Sequence, residues 1–170
     1  GFKNGDDELD LDTPPTASTT ALLSSPVASY PIIPAGGTDN NYAFTFVNGT
    51  LDITKATPVV TWNNPASITY GTLLSATELN ASGSVAGTFT YTPALGTLLS
   101  VGPNQNLSVA FVPADAVNYY SVPVTTVQIT VNKATLTATA EDKGRVYGAA
   151  NPTLTINYTG FVNSETAVVI

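Results

Sequence analysis

The chain has 170 residues, of which 43% are hydrophobic and only 10% are charged, and its formal net charge is −7. Ordinary globular proteins have about 25% charged residues, so Thr, Ser, Asn and Gly supply most of the polar surface here. Because the sequence has no Cys, His or Met, it excludes thiol and imidazole chemistry, zinc or copper sites and disulfides. Five basic residues are too few to neutralise a run of phosphates, so we expect no nucleic-acid partner.

The sequence predicts no membrane insertion in this segment. No apolar run reaches the roughly 18 residues that a membrane-spanning helix needs. The first residues, Gly1–Asn4, have neither the basic nor the apolar region of a signal peptide. We therefore expect a mature piece or an excised fragment of a protein.

In chain order, the first feature is the acidic run Asp6–Asp12. If this run is extended, Asp6, Glu8, Asp10 and Asp12 lie on one face, where their oxygens would suit Ca²⁺. The alternative is a solvated edge that resists aggregation, because the spacing lacks the Gly and the terminal Glu of an EF-hand loop. We expect the solvated edge, and therefore neither a metal nor another cofactor.

The next element is a predicted β-hairpin. Tyr42–Val47 and Thr50–Thr54 both alternate as strands do, and Asn48-Gly49 lies between them. Asn and Gly tolerate positive φ at both central positions of a turn. The sequence therefore predicts a type I′ turn at Asn48-Gly49.

Period-2 alternation predicts four further strands, each with one apolar and one polar face. They are Thr88–Thr92, Leu107–Phe111, Val127–Val131 and Leu136–Ala140. The turn signals between strands, spaced as in a sandwich or barrel, include Asn63-Asn64-Pro65, Gly102-Pro103-Asn104 and Asn151-Pro152. The sequence therefore predicts an all-β fold built from antiparallel sheets.

Internal repetition is the most informative feature of the sequence. Lys55-Ala56-Thr57 recurs as Lys133-Ala134-Thr135. Each copy is preceded by an Asp-to-Tyr segment and followed by a Tyr-Gly pair: Asp39–Tyr42 and Tyr70-Gly71 for the first, Asp115–Tyr119 and Tyr147-Gly148 for the second. A longer repeat relates Gly160–Glu165 to Gly1–Asp6, so the chain contains homologous modules joined at the Lys-Ala-Thr triplets.

The triplets predict three segments: 1–55, the back part of one module; 56–133, a complete immunoglobulin-like module; and 134–170, the front part of the next module. Joined together, 134–159 and 1–55 would have nearly the length of the complete module. Either the chain is a segment of a tandem array, or the front part of one copy is completed by the back part of the next. The second arrangement is plausible chemically because an unpaired half-sandwich exposes edges that pair with another chain.

Both ends of the chain resemble the MBG family of bacterial immunoglobulin-like repeats. At the C-terminal end the resemblance rests on Lys133–Ala140, Tyr147-Gly148, Asn151-Pro152 and Tyr158–Phe161. At the N-terminal end it rests on Asp12–Thr16, Ser25–Val27, Tyr30–Ile32 and Asn41–Leu51. The middle segment, through motifs such as Gly87–Pro93 and Phe111–Asp115, is similar to related repeats that alternate with that family. The resemblance implies tandem immunoglobulin-like antiparallel β-sandwich modules in long bacterial surface proteins, mostly adhesins and their stalks, and implies no catalytic residues.

Two aromatic positions have alternative interpretations. Trp62 is the single Trp and follows a module junction, so it is a core residue, an interdomain wedge or a ligand-stacking residue. The segment Asp115–Tyr120 is similar to the strand-F corner of immunoglobulin domains, where a Tyr hydroxyl bonds back to the backbone. Its alternative role is to present an exposed Tyr for stacking on carbohydrate.

We predict no catalytic, cofactor-binding or metal site. Glu78, Glu141 and Glu165 fall in strand and turn contexts without a shared pocket, which disfavours glycoside hydrolysis. No Ser has a His or a suitably placed Lys as its base. Lys55 and Lys133 are junction residues, whereas an isopeptide bond to Asn needs a buried Lys beside a buried acid. Four Asn-x-Ser/Thr tripeptides match the glycosylation consensus, which is common by chance in a chain of this composition: those at Asn48, Asn80, Asn106 and Asn157.

The function that we expect is a non-enzymatic, extracellular structural repeat, a stiff stalk or fibre segment of a bacterial surface adhesin. Junctions without Gly/Ser linkers leave little room for hinge motion. The alternatives are a filament subunit that assembles head to tail by completing split sandwiches, and a carbohydrate-binding sandwich. The expected partners are neighbouring repeats, copies of the chain itself, and surface glycans. Clustered exposed aromatics would favour carbohydrate binding, and an even Thr/Asn coat would favour the stalk.

Overall fold

The computed structural model describes residues 1–166, and residues 167–170, the end of the predicted front segment 134–170, lie outside the described residues. The described chain consists of β-strands and loops with one short 3-10 helix, Glu8–Asp10, so the predicted all-β class is confirmed. The strands are β1 Thr16–Thr19, β2 Ala28–Ala35, β3 Gly49–Ile53, β4 Val60–Thr61, β5 Ile68–Thr69, β6 Ser82–Gly83, β7 Gly87–Thr92, β8 Gly102–Pro113, β9 Thr125–Asn132, β10 Thr137–Ala140 and β11 Ile156–Thr159.

The chain divides into two compact units, and unit 1 comprises Gly1–Thr57 together with Asp115–Tyr120. Its sheet has the order β1-β2-β3, and both pairs are antiparallel. Along the central strand β2, half-buried Tyr30, Ile32 and Pro34 alternate with exposed residues. The alternation gives this sheet one half-buried face and one exposed face, and the exposed face carries Ile33 as well as polar residues.

The predicted type I′ hairpin at Asn48-Gly49 is wrong. Neither residue has a positive φ, and Gly49 is the first residue of β3, where it pairs with Ile32. The partner of β3 is therefore β2, and Tyr42–Val47 is not a strand. The error arose because an Asn-Gly pair signals a local turn, whereas the alternating apolar residues of β2 provide a more distant pairing partner.

Unit 2 comprises Pro58–Ala114 and the chain from Ser121 onward. It contains a four-stranded sheet, β5-β9-β8-β7, and two-stranded sheets β4-β6 and β10-β11. These pairs are antiparallel except for β5 with β9, which is parallel. The turn predicted at Gly102-Pro103-Asn104 is wrong, because these residues begin β8 and form an irregularity in its pairing, with φ of 51° at Asn104.

One hydrophobic core lies within unit 2. Trp62 belongs to it: the side chain is 8% exposed, the ring packs edge-on against Tyr91, and Nε1 donates a hydrogen bond to the Glu78 carbonyl at 3.0 Å. Of the three roles predicted for Trp62, the structure shows the core residue. The core cluster consists of Trp62, Ile68, Leu74, Leu79, Leu99, Leu107, Val109, Val127, Ile129 and Val131.

Every buried residue in the described chain lies between Pro58 and Val131. Neither 1–57 nor 132–166 contains a buried residue, although both segments form sheets. Burial of apolar surface is the main stabilising contribution in folding. The sheets at the two ends therefore have hydrogen-bonded strands but little of the packing that normally stabilises a sandwich.

We predict that Leu107→Ala destabilises the core, because Leu107 is fully buried. A change of this kind costs about 2–5 kcal/mol of unfolding free energy. The matched control is Val112→Ala in the same strand, β8, where the residue is 61% exposed. Urea unfolding followed by Trp62 fluorescence should show a large shift for the first variant and almost none for the second; equal shifts would contradict this assignment of the core.

Glu78 is the buried acidic residue of this core region. The hydroxyl of Ser75 donates to its carboxylate at 2.7 Å, and the Ser75 backbone N–H donates at 2.9 Å. The hydroxyl hydrogen bond, together with the N–H bond, lowers the pKa of Glu78 below its ordinary value of 4.5. Folding therefore favours the charged form of this side chain.

We predict that Glu78→Gln destabilises the core at neutral pH but has less effect in acid. The contribution of a carboxylate with a lowered pKa is complete above the ordinary value of 4.5 and is lost as the pH falls through the folded pKa. Urea midpoints of wild type and variant, measured by Trp62 fluorescence at neutral pH and at about pH 3, should converge in acid. A difference that stays constant across this range would contradict the prediction.

Candidate functional site

The junction triplet Lys55-Ala56-Thr57 is held by the loop Asp115–Tyr120 within unit 1. The Lys55 Nζ donates to the Ala116 carbonyl at 2.7 Å and lies 5.9 Å from the centre of the Tyr120 ring. The Ala56 N–H donates to the Asn118 carbonyl, and the Ala56 carbonyl accepts from the Tyr120 N–H, both at 2.9 Å. We call this set of contacts the junction clamp. It satisfies both the N–H and the carbonyl of Ala56 and so holds the backbone there in one conformation.

The loop of the junction clamp is ordered by its own Asp. The Asp115 carboxylate accepts from the side-chain amide of Asn118 at 2.7 Å and from the N–H groups of Val117 and Asn118 at 3.1 Å. These bonds, that from the Asn118 side chain foremost, lower the pKa of Asp115. Asn118 in turn accepts from the N–H of Val27 at 2.8 Å. The Asp therefore shapes the loop, and Asn118 anchors it to unit 1.

The same arrangement recurs at Asp39–Tyr42. There the Asp39 carboxylate accepts from the N–H groups of Asn41 at 2.7 Å and Tyr42 at 2.9 Å, and the bond from Asn41 contributes most to its lowered pKa. The repeat found between Asp39–Tyr42 and Asp115–Tyr119 is thus matched by a shared local conformation. The corner bond predicted for a Tyr of Asp115–Tyr120 is not found among the described residues. A Tyr-to-backbone bond occurs at a different position, in β2, where the Tyr30 hydroxyl donates to the Pro26 carbonyl at 3.0 Å.

Lys3–Asp6 and Val162–Glu165 form a second structural repeat, because the two turns have the same conformation. In each turn the last N–H donates to the first carbonyl at 3.0 Å. The central residues have positive φ in both turns, at Asn4-Gly5 and at Asn163-Ser164. The acid at the last position accepts a hydrogen bond from a Tyr hydroxyl in each case, Asp6 from Tyr42 at 2.7 Å and Glu165 from Tyr70 at 2.6 Å. The two copies of the longer sequence repeat therefore form turns of the same kind, each with an acid that accepts from a Tyr hydroxyl.

The second of these turns packs closely within unit 2. A Cβ added at Gly71, where φ is 101°, would lie 2.9 Å from the Val162 side chain, so only Gly fits there. Beside it lies a cleft of about 460 Å³ whose lining includes Tyr70, Lys133 and Glu165. Sequence analysis singled out Tyr70-Gly71 and Gly160–Glu165 as repeat markers but did not predict that they meet.

The acidic run does not have the extended conformation on which the Ca²⁺ alternative depended. Glu8–Asp10 form a 3-10 turn, in which Asp7 accepts from the Leu9 N–H and Asp10 from the Asp7 N–H. Asp6 is bonded to Tyr42, and Asp12 accepts from the Asn40 N–H. Within residues 1–166, no group of three or more acidic side chains is placed to hold a metal ion.

The other predicted candidates lie apart from one another. Glu78 belongs to the core region, Glu165 bonds Tyr70, and Glu141 accepts from Lys143 at 2.8 Å and from the Thr155 hydroxyl at 2.6 Å. Lys55 is part of the junction clamp, and Lys133 is exposed beside the cleft. None of these acids shares a hydrogen bond with another in the described chain. The Asn48, Asn80, Asn106 and Asn157 side chains are exposed.

We predict that the hydrogen bond between Tyr70 and Glu165 can be detected by titration. Donation to the Glu165 carboxylate raises the pKa of Tyr70 above 10.0. Folding then favours the protonated phenol, so this contribution is complete below the ordinary pKa and is lost as the pH rises through the folded value. NMR titration of the Tyr ring carbons should show the pKa of Tyr70 falling towards 10.0 in Glu165→Gln.

The matched control uses the second copy of the turn. Donation to Asp6 raises the pKa of Tyr42, so Asp6→Asn should lower the pKa of Tyr42 and leave Tyr70 unchanged. A Tyr70 pKa that does not respond to Glu165→Gln would show that the contact is absent in solution.

Comparison with known proteins agrees with this repeated construction. Within the described residues, no helix is long and apolar enough to cross a membrane. No match was found among curated proteins or among solved structures. The family model described as MBG domain (YGX type) matches residues 1–52 and 136–170, just over half of the chain, on either side of the buried core. The Tyr-Gly pair of the second matched part is Tyr147-Gly148. The chain therefore belongs to the MBG domain (YGX type) family of β-rich extracellular repeats.

Proposed function

We propose that this chain is a non-enzymatic segment of a stiff extracellular stalk, of the kind that bacterial surface adhesins use to carry a binding tip. The observation that carries the proposal is the junction clamp. The triplet that is predicted to join one module to the next is hydrogen-bonded within unit 1 through the Lys55 ammonium and through both backbone groups of Ala56. A junction held in this way loses the backbone freedom that a Gly/Ser linker would have.

The surface of the four-stranded sheet also supports a stalk. Its aromatic side chains, Phe89, Tyr91 and Phe111, lie on the core side or are packed against each other. Stacking on sugars needs exposed aromatic rings, and the outer face is instead coated with small uncharged polar side chains. That outer face carries Thr88, Thr90, Thr92, Asn106, Ser108, Thr126, Gln128 and Asn132, with Ala110 and Val112 among them.

The distribution of acidic groups supports a structural role as well. Hydrolysis of a glycosidic bond needs two carboxyl groups facing one substrate across a few ångströms. Glu78 and Glu141 make separate local hydrogen bonds, and Glu165 bonds Tyr70 beside the cleft. Asp39 and Asp115 order the loops in which they lie. Each of these five acids thus makes hydrogen bonds that stabilise the local conformation of the chain.

We predict that a concatemer of this sequence is rod-like. In repeat proteins each module contacts mainly its neighbours, so length grows with copy number. Small-angle scattering of chains with one, two and four copies should give a maximum dimension that rises linearly with the number of copies. A compact particle, whose dimension rises only slowly with mass, would overturn the stalk proposal.

The matched control loosens the junctions without touching the core. Replacing the triplet by Lys55→Gly, Ala56→Ser and Thr57→Gly in each copy removes the Lys55 hydrogen bond and restores backbone freedom. The scattering of this concatemer should indicate a flexible chain of folded modules, with Trp62 fluorescence unchanged. Identical scattering from both concatemers would show that the junction clamp does not set stiffness.

A further inference from the structure

The sheet of unit 1 and the four-stranded sheet of unit 2 have the same strand order. In both, a central strand pairs antiparallel with a strand on each side: β1-β2-β3 in unit 1, β7-β8-β9 in unit 2. Aligning the Lys-Ala-Thr triplets places Ile53 of β3 at the position of Val131 in β9, and Leu51 at the position of Ile129. The structure therefore contains the same three strands twice, once with a core and once without.

In unit 2, two further elements cover these strands. The short strand β5 extends the sheet by pairing parallel with β9, Ile68 with Val131 and Thr69 with Asn132, and the sheet β4-β6 contributes the opposing layer. As a result, Ile129 and Val131 are 1% and 2% exposed. In unit 1, Leu51 is 38% exposed, and β3 pairs with β2 alone among the described strands.

The C-terminal part of the described chain contains counterparts of both covering elements. The β10-β11 pair is antiparallel like β4-β6, and Ala138 and Ala140 of β10 face Tyr158 and Ile156 of β11. These residues form an apolar face, on which Ile156 is 54% exposed. The face is therefore available to cover an apolar sheet.

The counterpart of β5 lies just before the Tyr-Gly pair. Arg145-Val146 precede Tyr147-Gly148 as Ile68-Thr69 precede Tyr70-Gly71. Within residues 1–166 they pair with no strand, and Val146 is 75% exposed while Tyr147 is fully exposed. The segment ends at a turn, in which the Ala149 N–H donates to the Val146 carbonyl at 3.2 Å. A sheet edge and an exposed segment are the two parts that strand addition brings together.

We propose that two copies of this chain complete one sandwich head to tail, with Arg145-Val146 of one copy added in parallel to Ile53-Thr54 of the other. The register is that of β5 on β9: Arg145 lies beside Ile53, and Val146 beside Thr54. The apolar face of β10-β11 then covers Tyr30, Ile32 and Leu51 of the second copy. The inference goes beyond the stalk proposal, because it names the partner segment and the register by which successive copies join.

One position differs between the template and the proposed pair. Arg145 stands where β5 has Ile68, which is buried. The aliphatic part of an Arg side chain can cover apolar surface while the guanidinium reaches water. Arg145 therefore fits at the margin of the completed core, and the family match on both contributing segments, 1–52 and 136–170, agrees with their joining into one module.

The experiment is disulfide trapping between two single-Cys variants, which is clean because the chain has no Cys. Thr54→Cys and Val146→Cys are placed at paired positions on the polar side, where the template has Asn132 and Thr69. Neighbouring residues on paired strands are within the Cα separation that a disulfide spans. Variants with tags of different mass are mixed, oxidised mildly and examined by mass spectrometry; the expected main product is the mixed dimer of Thr54→Cys with Val146→Cys.

The matched control replaces Thr54→Cys by Thr50→Cys, an exposed position within β3 that lies away from the proposed register. It should give no more mixed dimer than chance pairing. A second variant, Leu51→Asp combined with Thr54→Cys, should lower the yield several-fold, because a charge would then face the completed core.

Trp62 fluorescence verifies that each variant keeps its folded core. If the Thr54 pair gives no more mixed dimer than the Thr50 pair, the proposed register is overturned. If Leu51→Asp leaves the yield unchanged, burial of this face is overturned. The trapping experiment tests completion between copies, and the scattering of the concatemers tests the stiffness of the stalk. Either proposal can therefore be overturned without the other.

Discussion

The burial of side chains in one stretch of the chain, between Pro58 and Val131, is the constraint on which the rest of the structure depends. The strands of this stretch form the four-stranded sheet and the β4-β6 sheet, and the core lies between them. Leu107 and Ile129 are almost inaccessible to solvent there. The end segments have strands of the same kind, but nothing in the described chain covers their apolar faces as β4-β6 and β5 cover β8 and β9. Hydrogen bonding alone contributes little net stability, since unfolded strands bond to water. The ends therefore depend on further packing partners in a way that the middle does not.

Polar contacts provide part of the stabilisation of the end segments, where buried apolar packing is lacking. Asp39 and Asp115 order equivalent loops, and Asp6 and Glu165 bond a Tyr hydroxyl from equivalent turns. The Asp contacts are local in sequence, whereas the Tyr hydroxyl bonds join residues 36 positions apart for Asp6 and 95 positions apart for Glu165. Contacts of this kind order loops and turns in the end segments, where the described chain has no buried residue.

The sequence predicted much of the fold because alternation and repetition are strong signals. Strands β7, β8 and β9 contain predicted strands. The repeated Asp loops and the repeated turns have matching hydrogen bonds. The hairpin at Asn48-Gly49 failed because the pairing of β3 is decided by β2, whose apolar alternation is interrupted by Pro31 and Pro34 and is weak in the sequence. The site was less predictable. That Lys55 meets Ala116 depends on tertiary contacts, and a single sequence gives no distance information about them.

The composition fits the same physical reasoning. A sheet surface of Thr, Asn and Ser offers many hydrogen bonds to water but few charges, so its hydration depends little on ionic strength. With just one ion pair among the described residues, Lys143 with Glu141, the fold has little electrostatic stabilisation to lose in salt. Its solubility then depends on net charge, which the acidic run supplies near the N-terminus. The same run also orders the local chain, because the carboxylates of Asp7 and Asp10 accept hydrogen bonds from the backbone and that of Asp6 accepts one from Tyr42.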